Sequence, residues 1–124
     1  MYDEELCDQD RRLEWLPFTP ENAIGKAHLA IEQLLQQHGL SKSDVRKYFI
    51  SQFSKKSLEV LSGLLKEDPA KFKFVGDAHG YTGTSSPLLA FAKSIEDHDI
   101  EREDVVVFWS VGEGITSCSV IYRY

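Results

Sequence analysis

The chain is poor in cysteine: Cys7 and Cys118 are the two among its 124 residues. Two such distant thiols make neither a disulfide framework nor a zinc site, and a cytosolic setting is the default. Long apolar runs are missing too. Val105 to Trp109, as long as any, falls far short of the ~20 residues a membrane helix needs. The opening Met-Tyr-Asp-Glu-Glu-Leu lacks the basic end and apolar stretch of a secretory signal. Basic residues are outnumbered: Lys and Arg total 14 against 20 Asp and Glu, a net charge of −6. With no basic stripe to meet a phosphate backbone, nucleic acid is excluded as an expected partner. There is no internal repeat and no low-complexity tract.

What is present suits a packed core. Hydrophobic residues make up 42% and charged residues 27%, a balance that argues against disorder. The length matches one domain, or part of one. The acidity is local. Residues 1–14 hold six acids and two arginines, a net −4, whereas the other 110 residues carry a net −2. We expect an acidic arm over residues 1–18, docking through Trp15, and a folded body over 19–124.

The body divides into alternating elements. Thr19 as N-cap and Pro20 at the first position open a helix. Ala23, Ala27, Ile31, Leu34 and Leu35 form its stripe, and Gly39 ends it. Tyr48-Phe49-Ile50 reads as a buried strand. Ser54 caps a second helix with Leu58, Leu61, Leu64 and Leu65 on one face, stopped by Asp68-Pro69. Phe72 to Val75 reads as the next strand. The glycine-rich stretch Gly76 to Gly83 leads to Ser86 and Pro87. These open a third helix with Leu88, Phe91, Ala92 and Ile95 on one face. Val105 to Val111 is an apolar run of the kind buried on both faces. The turn Gly112-Glu113-Gly114 joins it to an alternating strand, Ile115 to Tyr122, with Cys118, Val120 and Tyr122 on one face. So short a turn demands an antiparallel hairpin. The fold class is α/β, a mixed sheet layered with helices.

Four segments give this pattern a family likeness. Asp44-Val45-Arg46-Lys47-Tyr48-Phe49-Ile50-Ser51-Gln52-Phe53-Ser54 resembles a strand ending in His-Gln-Ala-Asn. Asp77-Ala78-His79-Gly80-Tyr81-Thr82 resembles a loop containing Gly-Asn-Thr. Ser85-Ser86 with the apolar stretch behind them resembles the helix after that loop. Trp109 to Thr116 resembles a Gly-Ala-Gly-Leu-Thr turn. In unbroken order over about residues 19–124, these resemble the carboxy-terminal domain of 3-oxoacyl-acyl-carrier-protein synthase III, a condensing enzyme of the thiolase-like fold.

The resemblance implies a half domain of an acyltransferase of fatty-acid or polyketide-type metabolism, without a cofactor or metal. Acyl-CoA or acyl-carrier protein would be its partners, and a homodimer or a missing amino-terminal half would complete it. It also implies a histidine and an asparagine that donate hydrogen bonds to charge developing during condensation. Here Ser51 stands at the histidine position and Tyr81 at the asparagine position. Gln52 is retained, Ser54 replaces the last asparagine, and Gly80 and Thr82 flank Tyr81. The resemblance puts Gln52, Ser54, Gly80 and Thr82 beside the substrate. Serine and tyrosine can each donate one hydrogen bond, but neither exchanges a proton near neutral pH as imidazole does.

No thiol replaces the nucleophile that the family carries in its other half. Cys7 sits among Glu4, Glu5 and Asp8, which disfavour a thiolate, and Cys118 reads as a small core residue. His79 could be a displaced catalytic histidine; a loop histidine without a catalytic task is the simpler reading. His28, His38 and His98 show no metal spacing. Gly80 to Ser86 could cradle an anion, although helix capping alone accounts for Ser85-Ser86-Pro87. Lys55-Lys56 read as a solvated face rather than a carrier-protein contact. Three functions follow: a catalytically silent condensing-enzyme half, a fragment or subunit of an active acyltransferase, or a small module that binds CoA or phosphate.

Overall fold

The computed structural model describes residues 20–112 and 116–124. Helix α1 spans Pro20–Gln37, strand β1 Val45–Ile50, helix α2 Lys55–Leu65 and the single-turn helix α3 Gly76–His79. Helix α4 spans Ser86–Glu96, and strands β2 and β3 span Val105–Val111 and Ser117–Arg123. The expected Thr19 cap, the arm and the centre of the Gly112-Glu113-Gly114 turn lie outside the described residues.

The sheet runs in the order β1-β2-β3. β1 pairs parallel to β2, placing Phe49 beside Phe108 and Ile50 beside Trp109. β2 pairs antiparallel to β3, with Ser110 opposite Cys118 and Phe108 opposite Val120. The expected hairpin and mixed sheet are therefore present. Because successive strand residues face opposite ways, β1 and β2 feed two cores. Tyr48, Ile50, Val107, Trp109 and Val111 pack with Ala23, Ala27, Ile31 and Leu35 of α1 and with Leu58, Leu61 and Leu65 of α2. On the other face Phe49 and Val106 pack with Ala90 of α4 and with Val75 and Ile100. The apolar run 105–111 is buried on both sides, as its sequence predicts.

Five local expectations are corrected. Helix α2 ends before Asp68-Pro69, at Lys66, whose left-handed φ of 55° sends its N–H back to Gly63 and Ser62. Phe72 to Val75 forms no strand: it touches β1 through one isolated bridge, Tyr48 to Phe72. Its next backbone groups bond instead to the Gln52 side chain. Ser86 is the first residue of α4 rather than its cap. Its hydroxyl donates to the Gly83 carbonyl at 2.7 Å and accepts the Gln52 amide at 3.2 Å. Of the expected α4 face, Phe91 and Ile95 pack partly buried against the core, but the buried positions are Ser86, Pro87, Ala90 and Ser94 and Leu88 is 60% exposed. Cys118 is exposed rather than in the core. Among the described residues, no helix is long and apolar enough to cross a membrane.

Candidate functional site

The carboxy-terminal end of β1 is where chemistry-bearing side chains gather. Parallel pairing continues one residue past the strand, because the Ser51 amide donates to the Trp109 carbonyl at 3.0 Å. This holds Ser51 fully buried beside the end of β2. Its hydroxyl donates to Ser110 Oγ at 3.4 Å and accepts the Val111 amide at 3.4 Å.

Tyr81 reaches the same point from the loop between α3 and α4. Its ring lies against Phe53 at a centroid distance of 4.8 Å, which brings its hydroxyl near enough to Ser51 for the two to influence each other. Partial burial raises the Tyr81 phenol above its ordinary value, and the neighbouring Ser51 hydroxyl opposes that rise. The net shift is upward, so the hydroxyl is a protonated donor at neutral pH. Ser51 and Tyr81, thirty positions apart in the sequence, are thus brought together. Ser110 extends them into a row of three hydroxyls.

Gln52 faces away from this row and is buried. Its Nε2 donates to the carbonyls of Ile50 at 2.7 Å and Lys73 at 3.1 Å, and its Oε1 accepts the Val75 amide at 2.9 Å. The carboxamide clips the 73–75 segment to the end of β1. Ser54 caps α2, accepting the Ser57 amide at 3.1 Å. Gly80 has φ +68°, a conformation that suits glycine, and it turns the chain out of α3 toward Tyr81. Thr82 is exposed, and its carbonyl accepts the Ser85 hydroxyl at 2.7 Å. His79 ends α3, exposed, and Lys55 and Lys56 are exposed at the start of α2. Among the described residues, no three His, Cys, Asp or Glu side chains assemble as metal ligands.

Ser110 escapes sequence reasoning as a site residue. The available signal is that it is the one polar residue in the run Val105 to Val111. A lone serine near the end of a doubly buried strand needs a partner, and Ser51 provides it. Chemically, the row can donate hydrogen bonds to an oxygen that carries negative charge. It contains no group that takes up a proton near neutral pH.

The sequence profile of the family described as 3-oxoacyl-[acyl-carrier-protein (ACP)] synthase III C terminal matches residues 35–124. The chain belongs to that family. The beta-ketoacyl-[acyl-carrier-protein] synthase III of Rhodospirillum centenum is 28% identical over 101 residues, covering 82% of this chain and 31% of that protein. The same enzyme of Agrobacterium fabrum is 29% identical over 104 residues, covering 84% of this chain and 32% of its own length. In three dimensions, the beta-ketoacyl-acyl-carrier-protein synthase III of Thermus thermophilus superposes with a TM-score of 0.80 at 21% identity, over 84% of this chain and 32% of that one. The 3-oxoacyl-acyl-carrier-protein synthase III of Pseudomonas aeruginosa gives a TM-score of 0.80 at 20% identity, over 84% and 33%. The thiolase-like half-domain fold is therefore shared. The chain spans about a third of the length of the curated relatives it matches.

Proposed function

We propose that this chain is the carboxy-terminal part of a condensing protein of the 3-oxoacyl-acyl-carrier-protein synthase III type, and that by itself it does not catalyse condensation. In this reading residues 19–124 form the thiolase-like part and residues 1–18 an acidic arm. Ser51 and Tyr81 take the places of a histidine and an asparagine. The observation that carries the proposal is the buried Ser51 hydroxyl at the end of β1, bonded to Ser110 and the Val111 amide, with Tyr81 packed on Phe53 beside it. Hydroxyl donors gathered at one point, Tyr81 and the Ser51–Ser110 pair, suit an acyl thioester oxygen. A pair that cannot exchange a proton at neutral pH does not suit the proton-dependent part of the reaction. Gln52 and Ser54 then act as positioning residues, and Gly80 and Thr82 shape the loop that carries Tyr81.

The partners in this reading are acyl-CoA or acyl-carrier protein, in the cytoplasm. Association with a second copy or with an amino-terminal half belongs to the same proposal. It is supported by Leu29, Val60 and Leu64, exposed by 58%, 43% and 43% on α1 and α2, and by the outer edge of β3, which pairs with no described strand.

The test is incubation with labelled acetyl-CoA and malonyl-acyl-carrier protein. The expected result is no acyl-protein and no condensation product. Covalent label on Cys118 or Cys7, or product formed by the chain alone, would overturn the proposal.

A further inference from the structure

Helix α2 carries an uncovered row along one side. Val60 and Leu64, one turn apart, are each exposed by 43%. Lys56 stands one turn before Val60 on the same row, with Lys55 beside it at the start of the helix. Both lysines are exposed, and neither forms an ion pair among the described residues. The first turn of α2 holds no acid to offset them. The row is thus basic at its start and apolar beyond.

The chain that leads into α1 has the matching chemistry. Residues 1–14 hold six acids and two arginines, and Trp15-Leu16-Pro17-Phe18 follow them. This segment joins α1 at Pro20, and α1 packs directly on α2. The Lys42 ammonium meets Glu32 of α1 and the Leu65 carbonyl of α2. The carboxy-terminal parts of the two helices therefore lie together, and their starts lie together at the other end. With about 8–10 Å between packed helices and about 1.5 Å of rise per residue, Val60 and Leu64 fall roughly 12 and 16 Å from Pro20. Trp15 is five residues before Pro20, a stretch of chain that can span up to ~17 Å.

We propose that residues 1–18 fold back across the α1–α2 layer, seating Trp15 on Val60 and Leu64 and holding the acidic stretch beside Lys55 and Lys56. A second apolar surface, the groove between α4 and the β2–β3 hairpin, suits this segment less. It lies on the opposite face of the sheet from α1, and no basic residue lines it. An acidic segment tethered to α1 finds no counter-charge there and would have to pass around the sheet edge. The tether also favours this occupant over a separate partner, because a short linker holds it at a roughly millimolar effective concentration. The placement does not depend on the roles of Ser51 and Tyr81. It covers Val60 and Leu64 and leaves Leu29 and the β3 edge open for association.

The test labels the full chain with 5-fluorotryptophan. Its two tryptophans, Trp15 and Trp109, give separate fluorine resonances, assigned with Trp15→Phe. Trp109 is fully buried and reports on folding. In the wild type the Trp15 resonance should stand apart from its position in urea. Val60→Lys and Leu64→Lys should each return it to the urea position and leave the Trp109 resonance in place. Both positions are exposed, so folding is retained and is checked by melting. Lys55→Glu combined with Lys56→Glu should lower the ratio of docked to free Trp15 by roughly threefold or more, the loss of two surface ion pairs. Leu88→Lys, in the α4 groove, should leave Trp15 unchanged.

A Trp15 resonance already at the urea position in the wild type would overturn the proposal. So would release of Trp15 by Leu88→Lys in place of Val60→Lys and Leu64→Lys, which would put the segment in the groove. Release of Trp15 on dilution, in step with dissociation of a dimer seen by light scattering, would put it on a second copy and overturn docking within one chain.

Discussion

The Gln52 carboxamide holds Val75, accepting its amide at 2.9 Å while donating to the neighbouring Lys73 carbonyl at 3.1 Å. One side chain thus does what a ladder of backbone bonds would do between two strands. It also stands next to Ser51 in the sequence, so the clip and the hydroxyl row share one stretch of backbone. Replacing Gln52 with alanine strands the Val75 amide and two carbonyls in a buried place. At about 1–3 kcal/mol for each buried group left unpaired, Gln52→Ala should lower stability by roughly 3 kcal/mol or more. Urea unfolding followed by tryptophan fluorescence checks it; a loss below about 1 kcal/mol would mean that water replaces the clip.

Tyr48 makes the opposite prediction. Its ring stacks on Phe72 at 4.8 Å and 8°, yet its buried hydroxyl has no hydrogen-bond partner among the described residues. Tyr48→Phe keeps the stack and removes the orphaned group, so stability should stay level or rise by about 1 kcal/mol. Burial, and secondarily the Glu67 carboxylate, push the Tyr48 phenol well above its ordinary value. A raised folded pKa means the folded state keeps its proton longer than the unfolded state does. That stability is complete below the unfolded value near 10 and is lost as pH rises above it. The wild type should therefore weaken above pH ~10, and Tyr48→Phe should flatten that decline in melting temperatures taken across the alkaline range.

The Lys73 ammonium bridges Asp97 at 2.6 Å and Asp99 at 2.7 Å, tying the 73–75 segment to the end of α4. Desolvation alone would lower the Lys73 value, but hydrogen bonds and charge from the two aspartates raise it. Asp97 is correspondingly lowered, first by its bond to Lys73. Its contribution is present above the ordinary carboxylate range and lost as pH falls through the depressed value. In Lys73→Met, the Asp97 carboxyl carbon followed by NMR should titrate at higher pH than in the wild type. An unmoved curve would show that the bridge does not form in solution.

Two non-glycine residues close helices in the left-handed region: Lys66 with φ 55° after α2 and His98 with φ 56° after α4. Glycine is free of the side-chain clash there. Lys66→Gly and His98→Gly should each add about 0.5 kcal/mol, the gain being reduced by the greater freedom of glycine in the unfolded chain. Chemical denaturation of both single variants and the pair checks this, with near-additive effects expected for separate helices.

The sequence was most readable where local chemistry and long-range packing agree. Ser54 caps α2 as its position suggests, the Ala23–Leu35 stripe is the buried face of α1, and the 105–123 region folds as the expected hairpin. The family likeness points to Ser51 and Tyr81 together, and in the structure the Tyr81 ring packs on Phe53, two residues after Ser51. Other features depended on contacts that periodicity does not encode. Phe72 to Val75 has the composition of a strand, but the Gln52 side chain takes its hydrogen bonds. Ser86 looks like a cap, but its hydroxyl is spent on Gln52 and Gly83. Cys118 alternates correctly with Val120 and Tyr122, but alternation fixes which face a residue occupies and not whether another layer covers that face.

The clip at Gln52 has a further consequence for how the molecule opens. Residues 73–75 are held to the sheet edge by one side chain and one ion bridge, whereas β2 is bonded along both edges. The two regions should therefore exchange their amide hydrogens by different routes. Val107 and Trp109 should exchange only on global unfolding, while Val75 should exchange through a smaller opening that leaves β1, β2 and β3 assembled. Tyr81 follows this segment in the chain, so the same partial opening would carry its hydroxyl away from Ser51. The hydroxyl row is then set by a local equilibrium more labile than the fold that surrounds it.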